Sequence, residues 1–223
     1  MDWNGIDDIL QDPGLAGHLR PGIGPAELEE FLDREIYRVF IEHEQTDFID
    51  PQSNRLLLQK LHQVFDGPID QSGVDRLLTH LDTMKFITID GSAVKVLVEL
   101  RRRNYRLGLV SNMMLPGKLL KAKLHQANIL ADFDAIAISS DVGFIKPHPE
   151  IFRRALAKCQ LRAEEVVFVG DTYRQDILGA KRVGMKTIWL NNRHEPRVMA
   201  AGNPPDGEIE TLSELLENPI LRA

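Results

Sequence analysis

A chain of 223 residues has room for one large domain, or for one domain with a lobe inserted or appended. Hydrophobic residues make up 43%, enough to fill an ordinary soluble core. The formal net charge of -6 argues against a general nucleic-acid binder, which needs a basic face, but leaves small phosphorylated substrates open.

The chain opens on Met1-Asp2-Trp3-Asn4-Gly5, without a basic stretch followed by an apolar one. No apolar run approaches membrane-spanning length, so the expectation is a cytoplasmic protein with no membrane partner. Residues 1–24 carry no firm element. Over 25–40, Leu28, Phe31, Leu32, Ile36 and Val39 form one helical stripe, with Pro25 suited to a first helical position. The pattern repeats over 54–65 with Leu57, Leu58, Leu61 and Val64, and a shorter helix is expected over 73–81. Together these predict a small helical lobe over 25–84 and an α/β core over 85–223.

Beyond residue 86 the pattern alternates. A helix over 93–103 ends in Arg101, Arg102 and Arg103, a cationic run that suits a solvated helix C-terminus. Strands are expected over 106–110, 135–138, 166–169 and 186–190, with helices over 118–127, 150–159 and 176–183 between them. A short strand over 208–210 and a closing helix over 213–216 follow a polar loop. Strands alternating with helices predict a parallel, Rossmann-like sheet covered on both faces. Cys159 is the only cysteine and lies at helical spacing, which excludes an intramolecular disulfide and points to a buried structural thiol.

Open parallel sheets bind ligands beyond the carboxyl ends of their strands. Read there, the chain offers Ser111 and Asn112, then Ser139, Ser140 and Asp141 with Lys146 shortly after, then Asp171 with Asp176 five residues later. Hydroxyl and amide donors, a lysine and two carboxylates are the inventory for a phosphate beside a divalent cation. Taken singly, each has a plainer reading. Ser111 and Asn112 are favoured helix caps, Asp171 is another, Asp176 is a first-turn acid, and a lone lysine is usually solvated. Their coincidence at one sheet edge favours the chemical reading.

The wording of these segments resembles the haloacid dehalogenase-like hydrolases over roughly residues 86–217. Leu109-Val110-Ser111-Asn112 is similar to the second motif of that family, and Gly143-Phe144-Ile145-Lys146-Pro147 to the third. Val169-Gly170-Asp171-Thr172-Tyr173-Arg174-Gln175-Asp176 is similar to the fourth. The resemblance implies that Ser111, Asn112 and Lys146 bind a substrate phosphoryl group, with Lys146 the catalytic lysine. It implies that Asp171 and Asp176 hold Mg2+, and that the lobe over 25–84 is a cap.

The first motif, an apolar strand ending in Asp-x-Asp, has no clear match. In the family that strand lies mid-sheet, between the strands that here end at Val110 and Val169. Asp2-Trp3-Asn4-Gly5 is a degenerate candidate, with Asp2 at the nucleophile position, but N-terminal coil is the favoured reading. Three outcomes stay open: a longer product with a misplaced start, which is favoured; a gap filled by the chain's own N-terminal residues; or a different fold at the sheet centre. The expected function is a Mg2+-dependent phosphomonoester phosphatase acting through an aspartyl-phosphate. The activity of the chain as written is left open. A non-catalytic phosphate-binding or regulatory member is the alternative, and a response-regulator-like receiver a weaker third. Substrate identity and oligomeric state are not legible.

Overall fold

The computed structural model describes residues 6–31, 34, 64–66, 76–77, 80, 88–113, 117–194 and 203–221. Asp2 and most of the expected lobe over 25–84 lie outside them. What is described of the N-terminal part is helical: α1 (Ile6–Gln11), α2 (Pro13–Ala16) and α3 (Pro25–Phe31). Asp12 caps α2, its carboxylate accepting from Gly14 N at 2.7 Å. The same carboxylate meets His80 Nε2 at 2.8 Å, a pairing across 68 residues that the sequence did not suggest. Leu28 and Phe31, the first two residues of the predicted stripe, are buried.

The core begins with α4 (Gly91–Arg102). Asp90 caps it by accepting from Ser92 N, Val96 and Leu100 form its buried stripe, and Arg101 and Arg102 lie in its last turn. The arginines are more tied than a solvated end requires. Arg101 meets Asp134 at 2.9 Å, and Glu99, held down to about 2 by Arg102 and Arg103, binds both at 2.7 Å.

Two parallel sheets follow. In the first, β1 (Leu107–Ser111) pairs with β2 (Phe133–Ile138), placing Val110 opposite Ala137 and Ser111 opposite Ile138. Between them lies α5 (Gly117–Gln126). In the second, β3 (Val167–Gly170) pairs with β4 (Lys186–Leu190), and β4 with β5 (Gly207–Ile209). The short α6 (Ser139–Val142) and the longer α7 (Pro149–Cys159) connect the sheets. Cys159 is buried as expected, and burial pushes its thiol pKa up.

No ladder joins β1 to β3 among the described residues, yet both feed the same cores. On one face Leu107, Val167, Val169 and Ile188 pack with Val96 and Leu100 of α4. On the other, Val110, Ala137 and Phe168 pack with Ile151, Phe152 and Ala155 of α7. Alternate residues of one strand therefore face opposite helix layers, as the period of two demands. The result is the three-layered, Rossmann-like α/β fold expected from the sequence, with no ladder among the described residues where the resemblance places a first strand. The two strands flanking that position are the wetter ones. All four residues of β3 are half-buried, whereas Thr187, Ile188 and Trp189 of β4 are buried.

Two elements differ from expectation. The helix expected over 176–183 starts earlier, as a wide π-type turn over Tyr173–Leu178 that narrows into α8 (Gly179–Lys181). Its first turn is set by Thr172 and Asp176, which exchange hydrogen bonds (Asp176 N to Thr172 O 2.7 Å, Thr172 N to Asp176 Oδ2 3.0 Å). The closing helix is a tight 3-10 segment over Leu212–Glu217, fixed by Glu214 accepting from Thr211 N at 2.9 Å.

Candidate functional site

The carboxyl ends of β1 and β3 and the loop after α6 bring the expected residues to one edge. Lys146 Nζ lies 2.7 Å from Asp176 Oδ1. The pair is enclosed, with side-chain exposures of 13% for Lys146 and 4% for Asp176. Gly170 makes this closeness possible: a Cβ there would stand 2.4 Å from the Asp176 side chain, so the end of β3 can pass against the carboxylate only as glycine. Phe168 lies below the lysine, its ring centroid 6.0 Å from Nζ.

Asn112 occupies the middle of the edge. Its Oδ1 accepts from Lys146 N at 2.7 Å, and its Nδ2 donates to Lys146 O at 3.1 Å and to Gln175 Oε1 at 3.3 Å. Neither Asn112 nor Ser111 caps α5, which begins at Gly117, so the cap reading of the sequence does not apply. Ser111 is half-buried, and its hydroxyl makes one long contact, 3.5 Å to Asn112 O. The next residue, Met113, is held by Ser139, whose Oγ accepts from Met113 N at 2.7 Å and donates to Met113 O at 3.0 Å.

Asp171 and Asp176 differ sharply. The Asp171 side chain is 45% exposed, and its carboxylate contacts are long: 3.4 Å to Thr172 Oγ1 and 3.9 Å to Arg193. Its backbone is anchored instead, the carbonyl accepting from Trp189 Nε1 at 3.0 Å, with Tyr173 packed edge-on against the indole. Asp176 is buried, and both of its oxygens already accept, from Lys146 and from Thr172 N. No group of three or more His, Cys, Asp or Glu suited to a metal occurs among the described residues. An exposed aspartate with accessible oxygens beside a second aspartate nevertheless suits Mg2+, which usually takes one or two carboxylates and fills its shell with water and phosphate.

Several partners were not legible beforehand. Gln175, Thr172, Ser139 and Trp189 hold the site from behind; Ser139 was visible at a strand end and Thr172 and Gln175 within the fourth-motif segment, but their bonds were not, and nothing pointed to Trp189. His148 caps α7, its Nδ1 accepting from Glu150 N at 3.2 Å, and stacks on Phe144 with ring centroids 4.8 Å apart. Asp141 pairs with Lys121 at 2.7 Å.

Comparison with known proteins agrees with the fold. Residues 18–184 match the model of the haloacid dehalogenase-like hydrolase family. The chain is 38% identical over 164 residues to a glyceraldehyde 3-phosphate phosphatase of Pyrococcus abyssi, covering 72% of this chain and 66% of that protein. It is 34% identical over 119 residues to a phosphoserine phosphatase of Thermus thermophilus, covering 53% of this chain and 46% of that protein. The matches thus span less than two thirds of either relative. Among solved structures, a HAD phosphatase from Thermococcus onnurineus superposes with a TM-score of 0.63 at 27% identity, over 99% of this chain and 86% of that one. No helix among the described residues is long and apolar enough to cross a membrane.

Proposed function

This chain belongs to the haloacid dehalogenase-like hydrolases, and from that premise we propose that it is a Mg2+-dependent phosphatase of small phosphomonoesters. The observation that carries the reading is the enclosed Lys146–Asp176 pair beside the exposed Asp171 at a shared strand edge. Two relatives named as phosphatases of small phosphorylated compounds support the substrate class. Their substrates differ from each other, so neither is carried over.

In this reading the Ser111 hydroxyl and the Asn112 main-chain N–H donate to phosphoryl oxygens. The Lys146 ammonium, steered by Asp176, offsets the charge of the phosphoryl group and of the aspartyl-phosphate that follows. Asp171, with Asp176, would hold Mg2+, which would supply further neutralisation of the phosphoryl oxygens. Enclosure strengthens each of these contacts, because charges interact more strongly away from bulk water. The attacking carboxylate displaces the alcohol from phosphorus, and water then cleaves the acyl phosphate. Asp2 is the candidate for that carboxylate, and the segment over 25–84 the candidate cap.

The test is release of p-nitrophenol from p-nitrophenyl phosphate by the full chain. The expected result is Mg2+-dependent turnover that Asp171→Asn and Lys146→Met abolish, with loss in Asp2→Asn assigning the nucleophile. Phosphate binding without turnover would overturn Asp2 as the nucleophile and catalysis by the chain as written. It would favour the non-catalytic alternative, in which Ser111, Asn112 and Lys146 bind phosphate without an attacking carboxylate.

A further inference from the structure

Asn112 stands among the residues expected to grip phosphate, but its side chain is engaged elsewhere. A carboxamide has two N–H donors and one carbonyl acceptor. Both donors are used, on Lys146 O and Gln175 Oε1, and the carbonyl accepts from Lys146 N. The two bonds to Lys146 grip its N–H and its C=O together. They fix the backbone on both sides of the Lys146 Cα, and with it the direction in which the side chain leaves. The third bond reaches the residue next to Asp176. Asn112 therefore touches the supports of both members of the Lys146–Asp176 pair and the charged group of neither.

We propose that the Asn112 carboxamide is a positioning residue that aims the Lys146 ammonium at the phosphoryl site, and is not itself a phosphate ligand. The residue type fits the task. Ser111, one position earlier, has only one donor and is too short to span a peptide unit. An aspartate at 112 would keep the acceptor for Lys146 N, but would set a carboxylate against the Lys146 carbonyl and leave that carbonyl without its donor. An unsatisfied group of this kind is costly when half-buried, so the loop would turn to relieve it. Because β1 and β3 share no ladder among the described residues, the Asn112–Gln175 bond also ties the end of one sheet to the turn that follows the other.

The proposal rests on the phosphate-binding reading above, so its test has one arm that depends on phosphate and one that does not. In the first, orthophosphate is titrated calorimetrically, with Mg2+ present, into wild type, Asn112→Asp, Asn112→Ala, Lys146→Met and the Asn112→Asp/Lys146→Met double variant. A positioning role predicts that either Asn112 change weakens binding about tenfold, and that Asn112→Asp weakens it little further once Lys146 is replaced. Losses that multiply in the double variant would overturn it, since independent ligands add. In the second arm, NMR follows the backbone amide and side-chain ammonium of Lys146 without phosphate. Asn112→Asp is expected to speed hydrogen exchange at the Lys146 amide and to shift the ammonium signal, in a protein that still unfolds cooperatively. An unchanged Lys146 spectrum would overturn the proposal even if phosphate binds. Failure of the wild type to bind phosphate would strike the functional reading and leave this arm decisive.

Discussion

Strands β3 and β4 are hydrogen-bonded neighbours, yet they sit in different surroundings. β4 has a partner on each side and buries Thr187, Ile188 and Trp189. Among the described residues β3 has one partner, and Val167 to Gly170 are all half-buried. A burial contrast also separates β1 from β2 on the other side of the seam, although each has one partner among the described residues. There only Leu107 of β1 is buried, while Ala135, Ala137 and Ile138 of β2 are. A strand in the middle of a doubly covered sheet should be the driest part of the fold. Here the two strands that flank the seam are the wetter ones, and no ladder joins them among the described residues. What ties the seam at its carboxyl end is a set of side chains, Lys146 to Asp176 and Asn112 to Gln175. The candidate site is therefore also a joint between the sheets.

That comparison predicts the largest effect at the Lys146–Asp176 pair. Lys146→Met leaves the Asp176 carboxylate buried with the Thr172 N–H as its remaining partner, and Asp176→Leu strands the ammonium. Each single change is expected to cost about 3–5 kcal/mol, and the two together much less, since removing both charges leaves none uncompensated. Urea unfolding of the four proteins measures this. Strictly additive losses would show that the pair does not couple the sheets.

A smaller contrast lies between the strands themselves. Ile188→Ala, on β4, empties a fully enclosed site and is expected to cost about 2–5 kcal/mol. Val169→Ala, opposite it on β3, removes two half-exposed methyls and should cost less than about 1.5 kcal/mol. Equal losses at the two positions, measured the same way, would mean that β3 is as well enclosed as β4.

The sequence carried most of the core architecture, for physical reasons that individual elements show. Lys186 to Leu190 forms a strand over its predicted span because it is a short, mostly apolar run with a β-branched residue pair at its centre. Lys146 could be placed beside Asp176 because both follow strands whose carboxyl ends share an edge. The bonds of Asn112 were not legible, since its partner lies 34 residues away and a backbone peptide leaves no mark in composition. The wide turn over Tyr173–Leu178 was equally hidden, as it depends on the Thr172–Asp176 exchange and on the crowding of Gly179 against Phe152. The pairing of Asp12 with His80 was missed for the same reason of distance. Of the three helices read into 25–81, α3 is described over Pro25–Phe31 and most of the remainder lies outside the described residues.

The central claim is that this strand edge is a metal-assisted phosphate site, and Asp171 is where it can be tested with least disturbance. Its side chain is 45% exposed and makes only long contacts, so Asp171→Asn should leave the fold and the Mg2+-free melting temperature essentially unchanged. The decisive measurement is the melting temperature of wild type and of Asp171→Asn, each with and without millimolar Mg2+. Binding to the native state should raise the wild-type value by mass action, and the variant should show no rise. An equal rise in both proteins would place the metal elsewhere and contradict the account.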